Sequence, residues 1–314
     1  MKKQFTKLCV VTTLLLLVAS TAVAVVSPQV GDFAPTATGN WTTDNTNWMQ
    51  WDGSGWNTTP AGAPTTIDNV WILDGQTITI VGAANCNNLK IGQSGTACTL
   101  TFDGVAARAV VVTGSITIAT NGTFIVQSTG TFTNTMSVSG NITNNGTFDM
   151  SRNSSTTVCT VTFNGTGEQD ISGTTPVLTR FRGITLTKSS KTDPVKSTID
   201  TQFGGSNLLV LTTGTWEQNA GNLINLSGSQ TLGSINGVLL IDGSGGYTNY
   251  NGVAYTAASL AVNVGGTFTV NTSGTVQIGI GNNSVTTGGT INLTAGTVRI
   301  FGKFVITTGT TTIN

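Results

Sequence analysis

The chain has 314 residues, and only 8% are charged against about a quarter in an ordinary domain. Its 13 basic residues balance 13 acidic ones, and it has no histidine. These facts exclude histidine-dependent triads and histidine metal sites and leave no basic footprint for nucleic acid. An apolar fraction of 38% argues against charge-rich disorder.

Residues 1–24 read as a secretory leader. Lys2, Lys3 and Lys7 form a basic start, LCVVTTLLLLVAS an apolar run, and Ala22-Val23-Ala24 a small-x-small cleavage site. The run is too short and too rich in Thr for a comfortable membrane span, and no later segment approaches ~20 apolar residues. Removing the leader leaves ten basic residues against 13 acidic ones, a net charge of about −3. The expected location is outside the cell or on its surface, with no membrane span in the mature chain.

Residues 25–84 hold Trp41, Trp48, Trp51, Trp56 and Trp71, five of the six tryptophans. A solenoid needs an atypical end to cover its first rung, so this region is expected to be an N-terminal cap with the first strands. The functional alternative is an indole platform for sugar rings, built from Trp41, Trp48, Trp51 and Trp56.

From residue 85 to 314 the chain repeats itself. Gly114 is followed by Ile116 and Ile118, Gly122 by Phe124 and Val126, Gly146 by Phe148 and Met150, with polar residues between. Related units open at Gly266, Gly274, Gly289, Gly296 and Gly302. Alternation over about five residues, closed by Gly, predicts a short strand with one buried face. Gly114, Gly122 and Gly130 are eight residues apart, which suits a coil with sharp corners. The predicted fold is all-β, a right-handed, three-faced parallel β-helix of about 20–24 residues per rung. Residues 85–314 would make on the order of ten rungs and a rod about 50 Å long. Phe124, Val126 and Phe132 are expected inside. Asn134 stands where an apolar residue is due, as an internal asparagine ladder or the point where the chain leaves the coil. Stacking itself disfavours columns of like charge and favours Thr and Asn ladders. The end, TTGTTTIN, stops within a repeat, which suggests a fragment of a longer protein or end-to-end self-association.

Cys86 and Cys98 are the local disulfide candidates after export, with Cys159 left over; the alternative is three buried thiols. No spacing indicates a metal site. Arg180, Arg182, Lys188, Lys191 and Lys196 cluster in a stretch read as a solvated loop, with an acidic polysaccharide as the functional alternative. Tyr247, Tyr250 and Tyr255 fall in GSGGYTNYNGVAYTAAS, expected to be a loop thrown out from the coil and a second contact surface. Asp193 and Asp200 with Arg180 or Lys188 are the one grouping that suits a polysaccharide lyase; most aspartates precede Gly or Asn, as turns do.

The order GNW…TNW…P…IDNVWILDGQTITIVG…CNNLKIGQSG resembles the opening module of bacterial secreted, surface-associated parallel β-helix proteins of the adhesin or autotransporter-passenger type. VTFNGTGEQDISGTTPVLTRFRGITLTKSS, residues 161–190, is similar to a second recurring element of such proteins, matching at Phe163, Gly165, Gly167, Gln169, Ile171, Gly173 and Lys188. The resemblance implies export and a surface role and carries no catalytic residues or cofactor. The expected function is a structural or adhesive rod without catalysis, with surface glycans or other surface proteins as partners and no nucleic acid. The alternative is a secreted carbohydrate-binding or carbohydrate-active β-helix protein.

Overall fold

The computed structural model describes residues 27–313 except 44, 94, 152–156, 175–177, 191, 204–208, 226–229, 233–236, 244–245, 250–259, 263–266, 279–283, 288–289, 301–302 and 307–309; for 209–213 and most of 225–313 it describes strand backbone only. Among the described residues every regular element is a β-strand.

The strands stack in three parallel series, as the spacing predicts. The first face runs through Val70–Ile72, Leu89–Ile91, Ile116–Ile118, Ile142–Asn144 and Gln169–Ser172 to Pro194–Ser197. The second runs through Thr77–Ile80, Cys98–Phe102, Gly122–Ile125, Thr147–Asp149 and Leu178–Phe181 to Thr201–Phe203. The third runs through Ala84–Cys86, Ala109–Val112, Thr133–Val138 and Val158–Phe163 to Gly183–Thr187. Parallel pairing continues to Thr310–Ile313. Gly114, Gly122 and Gly130 each stand where the chain turns onto the next face of a single rung.

Alternation decides what is inside. Ile116, Ile118, Phe124, Val126, Phe148 and Met150 are all fully buried, and Thr117, Thr123 and Thr147 point outward. Phenylalanines of successive turns touch along the second face. Phe102–Phe124, Phe124–Phe148, Phe148–Phe181 and Phe181–Phe203 ring centroids lie 5.8, 5.9, 5.2 and 6.2 Å apart. Each buried ring is worth about 1.5–3 kcal/mol of transfer free energy. Two glycines are fixed by sterics. A Cβ on Gly122 would lie 2.4 Å from the Ile91 carbonyl oxygen of the rung below. Gly130 has φ +84°, and its Cβ would lie 2.4 Å from the Gly104 carbonyl oxygen.

The corners are tied by side-chain ladders, which accounts for the low charge. Before the first face, Asn88 Nδ2 donates to Asn69 Oδ1 (2.8 Å), Ser115 N to Asn88 Oδ1 (2.8 Å), Asn141 N to Ser115 Oγ (3.0 Å) and Asp170 N to Asn141 Oδ1 (2.8 Å). Each short polar side chain satisfies a backbone donor one rung above, which a long charged side chain would not do at a tight corner.

Several expectations need correction. Rungs are longer than 20–24 residues in places: Ile116 pairs with Ile142, and Ile142 with Ile171, 26 and 29 residues on. Connections such as 103–108 and 126–132 add the surplus. That surplus shifts the third face, so Phe132 is only half-buried and Asn134, Met136 and Val138 point inward. Asn134 is not part of an asparagine ladder. Its Oδ1 accepts from Arg108 N (2.8 Å) and its Nδ2 donates to Val158 O (3.1 Å), bridging the rungs above and below. Cys86, Cys98 and Cys159 are buried free thiols, and no Cys86–Cys98 disulfide is present. Cys86 ends a strand of the third face whereas Cys98 opens one of the second, so proximity in sequence does not bring them together. Burial pushes all three thiols up, Cys98 to about 11. The expected leader, residues 1–24, lies outside the described residues.

Candidate functional site

The N-terminal segment builds one wall of a groove. Phe33–Pro35 pairs antiparallel with Trp48–Trp51, which pairs antiparallel with Trp56–Thr58, and Phe33 also stacks in parallel on Val70. Asp32, at the root of this sheet, is buried. Its carboxylate accepts from Trp71 Nε1 (2.9 Å), Asn69 Nδ2 (2.9 Å) and the Gln29 amide (2.9 Å). These bonds pull residues 27–32 against the outer surface of the first face.

Beyond that wall the first face presents an outward column, one residue per rung: Trp71, Lys90, Thr117, Thr143 and Ser172. Its first four residues, Trp71 to Thr143, enclose with the corner side chains on either side a groove of about 540 Å³. Lys90 Nζ sits 4.0 Å above the Trp71 ring, a cation–π contact, and burial lowers its pKa. Asn88 and Ser115 form one rim, and Gln93 and Asn145 the other. The Asn145 Oδ1 accepts from Thr174 N (2.9 Å). Among the described residues the Thr117 and Thr143 hydroxyls and the Gln93 carboxamide have no hydrogen-bond partner.

The residues singled out from sequence divide. Trp41 and Trp48 are buried, 5.1 Å apart edge to face, and belong to the same core as Val70 and Ile78. Their ring faces are occupied by protein, so a four-indole platform does not form. Trp51 and Trp56 are half-buried and 5.3 Å apart, and Trp56 leans on Trp71 at 6.3 Å. Tyr247 lies in strand Gly246–Asn249, whose side chains are not described, and Tyr250 and Tyr255 lie outside the described residues.

The basic cluster is not one loop. Arg180 lies in strand Leu178–Phe181, and Lys196 in strand Pro194–Ser197. Arg180 pairs with Asp149 of the rung below (3.2 Å) and with Gln202 of the rung above, and Lys196 pairs with Glu217 (3.7 Å). Lys188 is buried and donates to Gln169 Oε1 (2.6 Å), whose Nε2 donates to the Val138 and Gly140 carbonyls. Burial lowers the Lys188 pKa, partly offset by Asp193. Asp200 accepts from the Asn222 amide (2.7 Å). Of the residues suited to lyase chemistry, Arg180, Lys188 and Asp200 are engaged in joining the coil, and the Asp193 carboxylate accepts from Ser189 Oγ within its own turn. Among the described residues no group of three Cys, Asp or Glu side chains is placed to hold a metal, and no helix is long and apolar enough to cross a membrane.

Comparison with protein-family models, curated proteins and solved structures finds no match to this chain.

The groove escaped sequence reading because its floor is spread over residues 71 to 143. The one signal was the polar residue centred in each three-residue strand that opens with Leu or Ile: Lys90 in LKI, Thr117 in ITI and Thr143 in ITN.

Proposed function

We propose that this is an exported structural or adhesive surface protein, a stiff β-solenoid that acts by contact rather than catalysis, of the adhesin or autotransporter-passenger type in a bacterium. The observation that carries the reading is the unbroken parallel stacking from Val70–Ile72 to Thr310–Ile313, with corner side chains bonded rung to rung. Such a stack resists bending because every strand is held from both sides along the axis. The leader expected at residues 1–24 supports export, and the Trp-rich segment supports a capping role at one end. The test is fractionation of the producing cell with N-terminal sequencing. The reading expects protein at the surface or outside, starting after Ala24, and lower cell attachment when the gene is deleted. Recovery in the cytoplasm with its first residues intact would overturn it.

A second reading, a secreted carbohydrate-binding protein, is favoured by the groove on the first face. The groove is concave and mostly apolar, and its polar part includes hydroxyl and carboxamide groups with no partner among the described residues.

A further inference from the structure

We infer that the groove on the first face is a subsite for a neutral, polyhydroxylated chain, an uncharged oligosaccharide lying along the coil axis over Lys90, Thr117 and Thr143. This rests on the carbohydrate-binding reading and gives it a site, an orientation and a ligand class.

Three observations carry it. The floor is a column of side chains on successive parallel strands, so its polar groups recur every ~4.8 Å. A pyranose ring advances a glycan chain by about one such step, so each sugar meets an equivalent hydroxyl. A peptide strand, with side chains alternating across a longer two-residue repeat, does not fit this period. Second, the unpartnered groups are both donors and acceptors: the Thr117 and Thr143 hydroxyls and the Gln93 carboxamide. Sugar hydroxyls are themselves donors and acceptors and complement such a surface, whereas an aliphatic ligand would leave these groups unsatisfied. Third, the charges at the groove are balanced. Lys90 lies over the Trp71 ring, and the Asp32 carboxylate on the opposite wall is held by Trp71, Asn69 and Gln29. One cation and one anion give no net field to select a charged glycan. The volume of about 540 Å³ falls within the usual range for small-ligand sites and accommodates a short oligosaccharide segment.

The test uses cellohexaose and mannohexaose as neutral probes and a galacturonic-acid hexamer as the acidic control, titrated calorimetrically into the full chain. The paired variant Thr117→Val and Thr143→Val removes both hydroxyls and keeps the branched shape on the strand surface, and its unfolding midpoint reports whether the coil is intact. Trp51→Ala, outside the groove, is the companion variant. The inference expects at least one neutral hexasaccharide to bind, about tenfold weaker binding by the folded paired valine variant, and unchanged binding by Trp51→Ala. Tighter binding of the acidic hexamer, or neutral binding that survives the valines and is lost with Trp51→Ala, overturns the groove and keeps the carbohydrate-binding reading. Failure of all three probes to bind overturns both.

Discussion

The segment before the coil and the coil itself are both made of short strands, yet they bury their apolar residues in different ways. Within residues 33–58 the strands Phe33–Pro35, Trp48–Trp51 and Trp56–Thr58 pair antiparallel, while Gly39–Trp41 stacks in parallel on Thr77–Ile80, and the segment relies on a few large side chains with unique contacts. Trp48 packs edge-on against Trp41 and Phe33, and its Nε1 donates to Thr42 O (3.1 Å). The coil uses residues in repeated positions, so Phe124 and Phe148 each meet a ring of the rung above and a ring of the rung below. A defect in the coil is therefore shared with rungs on both sides, whereas a defect before it can reach only the first rung, through Val70 and Ile78.

The largest effect comes from interrupting the ring stack. Phe148→Ala is expected to cost about 3–5 kcal/mol in denaturant unfolding. Hydrogen exchange should then rise in the strands on both sides, Gly122–Ile125 and Leu178–Phe181. Trp48→Ala deletes a ring of similar burial, but the lost protection should be confined to residues 33–51 and the first-rung strands Val70–Ile72 and Thr77–Ile80 that share its core. Equal loss in the coil would erase the distinction between the two regions. Gly122→Ala is next, at about 1–3 kcal/mol, because the added methyl meets the Ile91 carbonyl and Ile118. Its unfolding midpoint checks this. Asp32→Ala should cost about 1–3 kcal/mol by orphaning the buried Trp71 Nε1–H, and a red shift of tryptophan fluorescence should accompany it.

The smallest effect is electrostatic. Arg108 donates from Nε to Asp103 Oδ1 (3.0 Å), and this bond holds the Asp103 carboxyl below its ordinary pKa. A depressed folded pKa means stability that is present above the unfolded value of about 3.9 and lost as pH falls through the folded one. At this partly exposed site the contribution is about 0–1 kcal/mol. Arg108→Gln should lower the melting temperature slightly at pH 7, and the gap to the unmodified chain should shrink as pH falls below about 3.9 and through the lowered folded pKa.

The regular part of this architecture was legible because one local rule governs it. Gly, then inward residues two and four positions on, describes Gly114, Gly122 and Gly146 correctly. Phe132 and Asn134 broke the rule because the connection at 126–132 is longer than a corner, and the inward set restarts with Asn134. Sequence could not reveal that Arg180 and Lys196 lie on strands. Their partners, Asp149 and Glu217, are 31 and 21 residues away and meet them only through the rung register. The groove was hidden for the same reason. Its floor is an outer column, and an isolated Thr between two isoleucines looks like any solvent-facing residue.

The parallel stack is tested most directly by cysteine pairs placed in the outer surface of the second face. Thr123 and Thr147 are direct partners on adjacent rungs, whose strands lie ~4.8 Å apart, within disulfide reach. The native thiols are buried and should not compete under native conditions. Mild oxidation of a Thr123→Cys, Thr147→Cys variant should give an internal cross-link, and a Thr123→Cys, Thr135→Cys variant should not. An antiparallel hairpin centred on residues 126–132 would instead place 123 beside 135. A cross-link between those two, with none between 123 and 147, would contradict the stacked coil.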